Sequence, residues 1–258
     1  MNKNAEHILT PITSLLDEAT YILNGMKWDV KSFAFAEYVL HSLFLKITGM
    51  QEQKFKCLVW EIGSEDIEFR TKQIYDKKWE YGECSALSAK VEIIKALYKI
   101  IKQIRLDSSA KIISDKERDD IYDKAQDYIT DLYQNVLKES VYQREYNNFI
   151  EIWGTIMPKD SFLAEENGQL VPTKNEANYK ENDTVITFTD VYERLYYFRN
   201  LCAHNFRVFK TNGYEFDRMR KVGNVTNNYF FRFAILIVID EFVMLLYNRF
   251  LELINSEI

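Results

Sequence analysis

Phe230-Phe231-Arg232-Phe233-Ala234-Ile235-Leu236-Ile237-Val238-Ile239-Asp240-Glu241-Phe242-Val243-Met244-Leu245-Leu246-Tyr247 is the most apolar run of the chain. Its length approaches the roughly 20 residues of a membrane-spanning helix. Arg232, Asp240 and Glu241 interrupt it, however, and charges inside a bilayer are costly. The run therefore reads as the centre of a buried helix, extending from about Thr226 to Leu253, and no membrane association is expected.

The surrounding sequence has the same character. With 258 residues, 47% of them hydrophobic, the chain can fill a sizeable core, which excludes disorder. Eight glycines and three prolines (Pro11, Pro158, Pro172) favour long helices over a sheet with many tight turns. Ile8, Ile12, Leu15, Leu16 and Ala19 recur at helical spacing, and Phe33 to Leu45 continues the pattern until Gly49 ends it. Leu87, Val91, Ile94, Leu97, Tyr98 and Ile101 form one stripe of a helix over Ala86 to Ile104. The segment from Leu106 to Lys111 breaks the pattern, and Ser114 with Glu117 forms a capping box for the next helix, which runs on to Trp153.

Pro158 to Asp183 is different. Asn167-Gly168 between two short apolar stretches suggests a hairpin or structured loop, read as a mobile surface loop with a lid or partner-binding element as the alternative. The expectation is an all-α helical bundle with this short hairpin or loop insertion at about 159–186. It forms a single domain over 1–258: an N-terminal helical extension (about 1–106) and a core at about 113–258.

Cys57, Cys84 and Cys202 are too few and too scattered for a disulfide framework or a zinc knuckle. The opening Met1-Asn2-Lys3-Asn4-Ala5-Glu6-His7 contains no apolar signal region. Both point to the cytoplasm. No metal site and no cofactor are expected, since the histidines do not cluster with the cysteines and no glycine-rich nucleotide loop occurs. His7 and His41 read as surface or packed histidines.

The net charge of −6 alone disfavours a polyanionic partner, but its distribution does not. Val191 to Arg232 holds eight basic residues, among them Arg194, Arg207, Lys210, Arg218, Arg220 and Lys221, against three acidic ones. A basic region on an acidic body directs a polyanion to one place.

That region begins in a helix from about Thr189 to His204. Val191, Leu195, Phe198 and Cys202 form its core stripe, and a neighbouring flank carries Tyr192, Tyr196, Arg199, Asn200, Ala203 and His204. Asn200 and His204 fall about 40° apart at 100° per residue. An amide, an imidazole and a guanidinium are thus gathered on two turns.

Arg199-Asn200-Leu201-Cys202-Ala203-His204 resembles the Arg-x4-6-His signature of the HEPN superfamily, and its continuation through Asn205-Phe206-Arg207 is similar to the abortive-infection branch. The resemblance implies an endoribonuclease that uses no metal, with Arg199, Asn200 and His204 catalytic, in a homodimer that brings two motifs together. It implies a toxin or antiviral effector held by an antitoxin or regulator. The chemistry is consistent: the RNA 2′-hydroxyl is the nucleophile, histidine moves protons near neutrality, and arginine forks onto phosphate oxygens. Tyr192, Tyr196 and Ala203 are expected at the two-fold interface, and Arg194, Arg207, Lys210, Arg218, Arg220 and Lys221 along the RNA. Two alternatives stand beside this reading. One is a noncatalytic HEPN scaffold binding RNA, nucleotide or protein; the other is a structural motif with Arg199 in an ion pair and His204 at a helix cap.

Overall fold

The apolar run lies in the C-terminal helix, α9 (Tyr229–Ser256), and every residue from Asn228 to Met244 is buried. The computed structural model of the chain describes residues 3–71, 83–105, 111–156, 162–166, 169–172, 180–181, 184–185, 187–204 and 228–256. Around α9 pack α1 (Lys3–Leu9), α3 (Val30–Glu65), α5 (Leu87–Ile104), α6 (Asp115–Leu132), α7 (Gln143–Ile156) and α8 (Phe188–His204), while the short α4 (Ile67–Thr71) packs on α3. The fold is an all-α bundle built on a central helix. Among the described residues no helix is long and apolar enough to cross a membrane.

A helix enclosed by protein on all sides must find partners for its charges. Lys54 on α3 places Nζ 2.6 Å from Asp240 Oδ1, and the Ile12 amide donates to Oδ2 at 3.0 Å. Both side chains of the pair are almost wholly buried, and desolvation exceeds their mutual attraction, pushing the Asp240 carboxyl up and the Lys54 amine down. Lys124 on α6 meets Glu241 at 2.7 Å. Arg232 lays its guanidinium 3.4 Å from the centre of the Phe198 ring. The Gln51 amide donates to the Leu236 carbonyl at 2.9 Å.

The helix limits depart from the sequence reading in three places. Pro11 separates α1 from α2 (Thr13–Leu23), because a proline lacks the amide that a continuous helix would need. Gly49 does not end α3. A Cβ there would have no atom within 4 Å, and the buried stripe simply continues through Phe55, Leu58, Val59 and Ile62. The expected helix to Trp153 is instead broken: α6 passes into a π-helical turn (Tyr133–Leu137) and stops before α7. Ser140 supports the stop with its own side chain, donating to the Leu137 carbonyl and accepting from the Tyr142 amide. Tyr133 then stacks on Tyr146 with centroids 3.8 Å apart. The capping box is present, with the Glu117 amide donating to Ser114 Oγ at 3.2 Å and the Ser114 amide to Glu117 Oε2 at 2.9 Å.

Within the insertion, β1 (Leu163–Glu166) pairs antiparallel with β2 (Gln169–Pro172), from Leu163 opposite Pro172 to Glu166 opposite Gln169. A smaller pair, β3 (Lys180–Glu181) and β4 (Thr184–Val185), follows. The β1–β2 hairpin is docked, not a mobile surface loop: Phe162, Leu163 and Leu170 are buried. The Phe162 ring lies 4.8 Å from Phe188 and 5.5 Å from Phe242, while its amide donates to Tyr122 at 3.0 Å. Ile101 and Ile113, on either side of the 106–110 break, belong to the same buried cluster.

Asp240→Ala leaves Lys54 charged and unpaired in the core and is expected to cost about 3–5 kcal/mol. Replacing both, Lys54→Met with Asp240→Leu, should recover most of that loss. Urea unfolding of the single and double variants tests this. A double variant no more stable than Asp240→Ala would show that the pair contributes more than mutual neutralisation.

Candidate functional site

Helix α8 starts from a reciprocal box in which Thr187 donates through its amide (2.8 Å) and hydroxyl (2.6 Å) to Asp190, whose amide donates back to Thr187 Oγ1 at 3.2 Å. This fixes the first turn. Val191, Leu195 and Cys202 are buried and Phe198 packs on the core, so the stripe read from the sequence faces inward. The C-terminal end of α8 meets the N-terminal end of α9, where Phe198 lies between Arg232, Phe44 (5.5 Å) and His41 (5.6 Å). His41 is thus an aromatic packing residue.

The buried face is wider than the stripe. Tyr192 is buried and donates its hydroxyl to the Ser85 carbonyl at 2.8 Å, which pushes it out of the surface role expected of it. Burial raises its phenol far above the ordinary range. Tyr196 is half-buried and accepts from Ser85 Oγ at 3.1 Å, so the short turn Glu83–Ser85 is pinned to α8 by two tyrosines. Ala203 is exposed, as is Tyr197.

Arg199 is half-buried. Its Nη2 lies 3.4 Å from Glu52 Oε2, and its Nη1 donates to Asn200 Oδ1 at 3.2 Å. Glu52 also pairs with Lys56 at 3.1 Å. Arg199 and Asn200 are therefore brought together, with Glu52 behind them. His204 is the last residue of α8, one turn beyond Asn200; its side chain lies outside the described residues. Arg194 is half-buried on the same helix. Arg207, Lys210, Arg218, Arg220 and Lys221 lie outside the described residues.

Beneath Arg199 is a polar layer that the sequence reading missed. Lys90 on α5 is buried, donates to Gln51 Oε1 at 2.6 Å, and sits over the rings of Phe55 (4.9 Å) and Tyr192 (5.7 Å). Burial above all, together with Arg199, lowers its amine to about 7, against the raising influence of Cys84, Glu52 and Asp240. A signal existed: Gln51 and Lys54 occupy core-phase positions between Ile47 and Leu58, and Lys90 precedes Ile94 and Leu97 on one stripe. A polar residue at such a phase needs a buried partner.

Beside Tyr192 and Tyr196 opens a cleft of about 530 Å³ between α5, α8 and the residues leading into β1. Among the described residues no group of three or more His, Cys, Asp or Glu side chains can hold a metal ion. No family model matches this chain, and no curated protein or solved structure matches it.

Lys90 predicts a pH dependence of stability. Its folded pKa of about 7 lies below its ordinary value of 10.5, so between these limits the unfolded chain binds more protons. Stability should therefore rise with pH, by at most about 1.4 kcal/mol per unit for this group. Lys90→Met should flatten the rise between pH 7 and 9, read from urea midpoints. Equal slopes in the variant and the parent chain would show that the Lys90 amine titrates normally.

Proposed function

We propose that this chain is a metal-independent endoribonuclease of the HEPN type, acting in the cytoplasm as a toxin or antiviral effector. The observation that carries the reading is the disposition of α8, which brings Arg199 against Asn200 and Glu52 and ends at His204. A guanidinium has five N–H donors. Two contacts, to Glu52 and Asn200, orient the fork, and the remaining donors are left for phosphate oxygens.

In this mechanism His204 takes the proton of the 2′-hydroxyl, whose oxygen attacks the adjacent phosphorus and expels the 5′-oxygen. Arg199 stabilises the charge that gathers on the phosphate. The products are a 2′,3′-cyclic phosphate and a 5′-hydroxyl. A homodimer supplies a second His204 as the acid for the leaving oxygen, and the isologous contact uses exposed Ala203. The basic residues Arg194, Arg207, Lys210, Arg218, Arg220 and Lys221 hold RNA. An antitoxin or regulatory protein restrains the enzyme.

One observation favours a second reading. The 3.4 Å approach of Arg199 to Glu52 is also what a purely structural ion pair between α8 and α3 would display. The two readings differ in what mutation does. For the nuclease, His204→Ala loses roughly 10²–10⁴-fold in cleavage while RNA binding persists. Arg199→Lys, which keeps charge but not the fork, lowers turnover more than binding. Neither depends on magnesium, so cleavage of a labelled RNA in EDTA is the assay. Cleavage that EDTA abolishes and divalent metal restores would sink the mechanism. Variants that cleave normally but unfold at lower temperature would establish the structural role instead.

Light scattering at assay concentration should give the mass of a dimer. A monomer cleaving at full rate would remove the composite site and leave a one-histidine nuclease.

A further inference from the structure

The cleft beside α8 combines three features that bear on what it holds. Its walls are apolar and aromatic: Val91 from α5, Phe162 ahead of β1, and Phe188, Tyr192 and Tyr196 from α8. Among the described residues no lysine or arginine lines it, whereas Glu92 and Glu193 do. Its volume, about 530 Å³, is that of a small-molecule pocket and ample for a planar ring system.

Phosphate is excluded by this charge. A carboxylate-lined aromatic cleft repels anions and favours flat groups that stack and present N–H donors. Tyr196 precedes Arg199 by three residues, about 4.5 Å along the helix axis. The Tyr196 end of the cleft is therefore one helical turn from Arg199, while Glu193 lies six residues and about 9 Å along the axis from it, a span that places the recognised base a nucleotide or more from the phosphate held by Arg199. Glu193 is exposed at the cleft, with no ion pair among the described residues.

We infer that the cleft is a base-recognition site, taking guanine from the RNA with Glu193 as the residue that selects it. This rests on the endoribonuclease reading for its substrate, though not for its measurement. The selection follows from the Watson–Crick edges. Guanine alone presents two adjacent donors, N1–H and the N2 amino group, which a carboxylate accepts together. Adenine and cytosine pair one amino donor with a ring-nitrogen lone pair, and uracil flanks its N3–H with two carbonyl oxygens; each of these turns an acceptor toward the carboxylate. The ring stacks on Tyr196, the half-exposed aromatic of the lining, as single-stranded bases do on protein aromatics.

Isothermal titration with the four ribonucleoside 5′-monophosphates tests the site without requiring cleavage. Guanosine monophosphate should bind tightest and uridine monophosphate weakest. Glu193→Gln should weaken guanosine monophosphate about tenfold while changing uridine monophosphate less than twofold. Ser88→Trp, a substitution at an exposed lining position, should weaken all four by obstructing the cleft. Both variants replace exposed residues, and their circular dichroism should match that of the parent chain. A second arm maps cleavage of a mixed-sequence RNA, where cuts should cluster at guanines in the parent chain and spread in Glu193→Gln. Guanosine monophosphate binding that Glu193→Gln leaves intact would overturn the proposal. So would discrimination among mononucleotides with no guanine bias in the cuts, which would make the cleft a separate nucleotide site. Selective, Glu193-dependent binding in a protein that cleaves no RNA would sustain the recognition site and defeat the nuclease.

Discussion

The structure depends on the need to neutralise a carboxylate in the stretch of α9, Asn228 to Met244, that has no solvent face. Asp240 is held by Lys54 of α3 and by the Ile12 amide ahead of α2, so one side chain ties two other segments to α9. An ion pair at 2.6 Å tolerates little sliding of one helix along another. It thereby fixes the register of α3 against α9. Gln51 bonds to Leu236 one turn away and reinforces the same register.

That register has consequences beyond the core. Gln51 and Glu52 lie within one turn of Lys54, so the placement of α3 also decides where they reach. Gln51 accepts from Lys90 of α5, and Glu52 accepts from Arg199 of α8. Three helices are thus aligned by polar contacts radiating from one stretch of α3, with the Arg199 end facing outward and the Asp240 end sealed. A second fixed point acts on the same turn of α8, where Arg232 stacks on Phe198 and sets the rotation of the residues that carry Arg199. The arginine of the motif is positioned from both sides by residues remote from it in sequence.

Much of the architecture was legible. The apolar run, the capping box at Ser114, the stripe of α5 and the limits of α8 were readable because periodicity and capping are local. The unreadable parts were those decided by distant partners. Gly49 looked like a terminator, but a glycine with helix and core on both sides only weakens a helix, and α3 continues because Phe55 to Ile62 have a core to enter. The stop after α6 contains no proline or glycine; it depends on Ser140 competing for its own backbone. Tyr192 was placed on a flank because its helical phase falls beside the Val191 stripe, and only Ser85, brought in from another segment, gives its hydroxyl a buried acceptor. At the motif, the sequence paired Asn200 with His204 and left Arg199 nearby; the Arg199–Asn200 contact was not read, and Glu52, Lys90 and Gln51 were visible only as polar residues in core phase.

The electrostatics of α8 follow from this arrangement. Glu52 is nearly buried and shared between Lys56 and Arg199, so its charge is divided and Arg199 is not wholly neutralised. Lys90 stands beneath them in a position where burial favours the neutral amine. A fully charged Lys90 would compete for Glu52 and draw it inward, whereas a neutral one leaves the carboxylate to the guanidinium. The net positive charge at the outer end of α8 is then carried by the fork of Arg199, held in orientation yet incompletely paired. The cleft one turn earlier is edged with carboxylates instead. Under the proposed nuclease reading, a polyanion meeting this helix would be offered one place for phosphate, at Arg199, and another, earlier on the helix, for an uncharged ring. That change of sign along a single helix would suit the alternation of charged backbone and neutral base in a single strand.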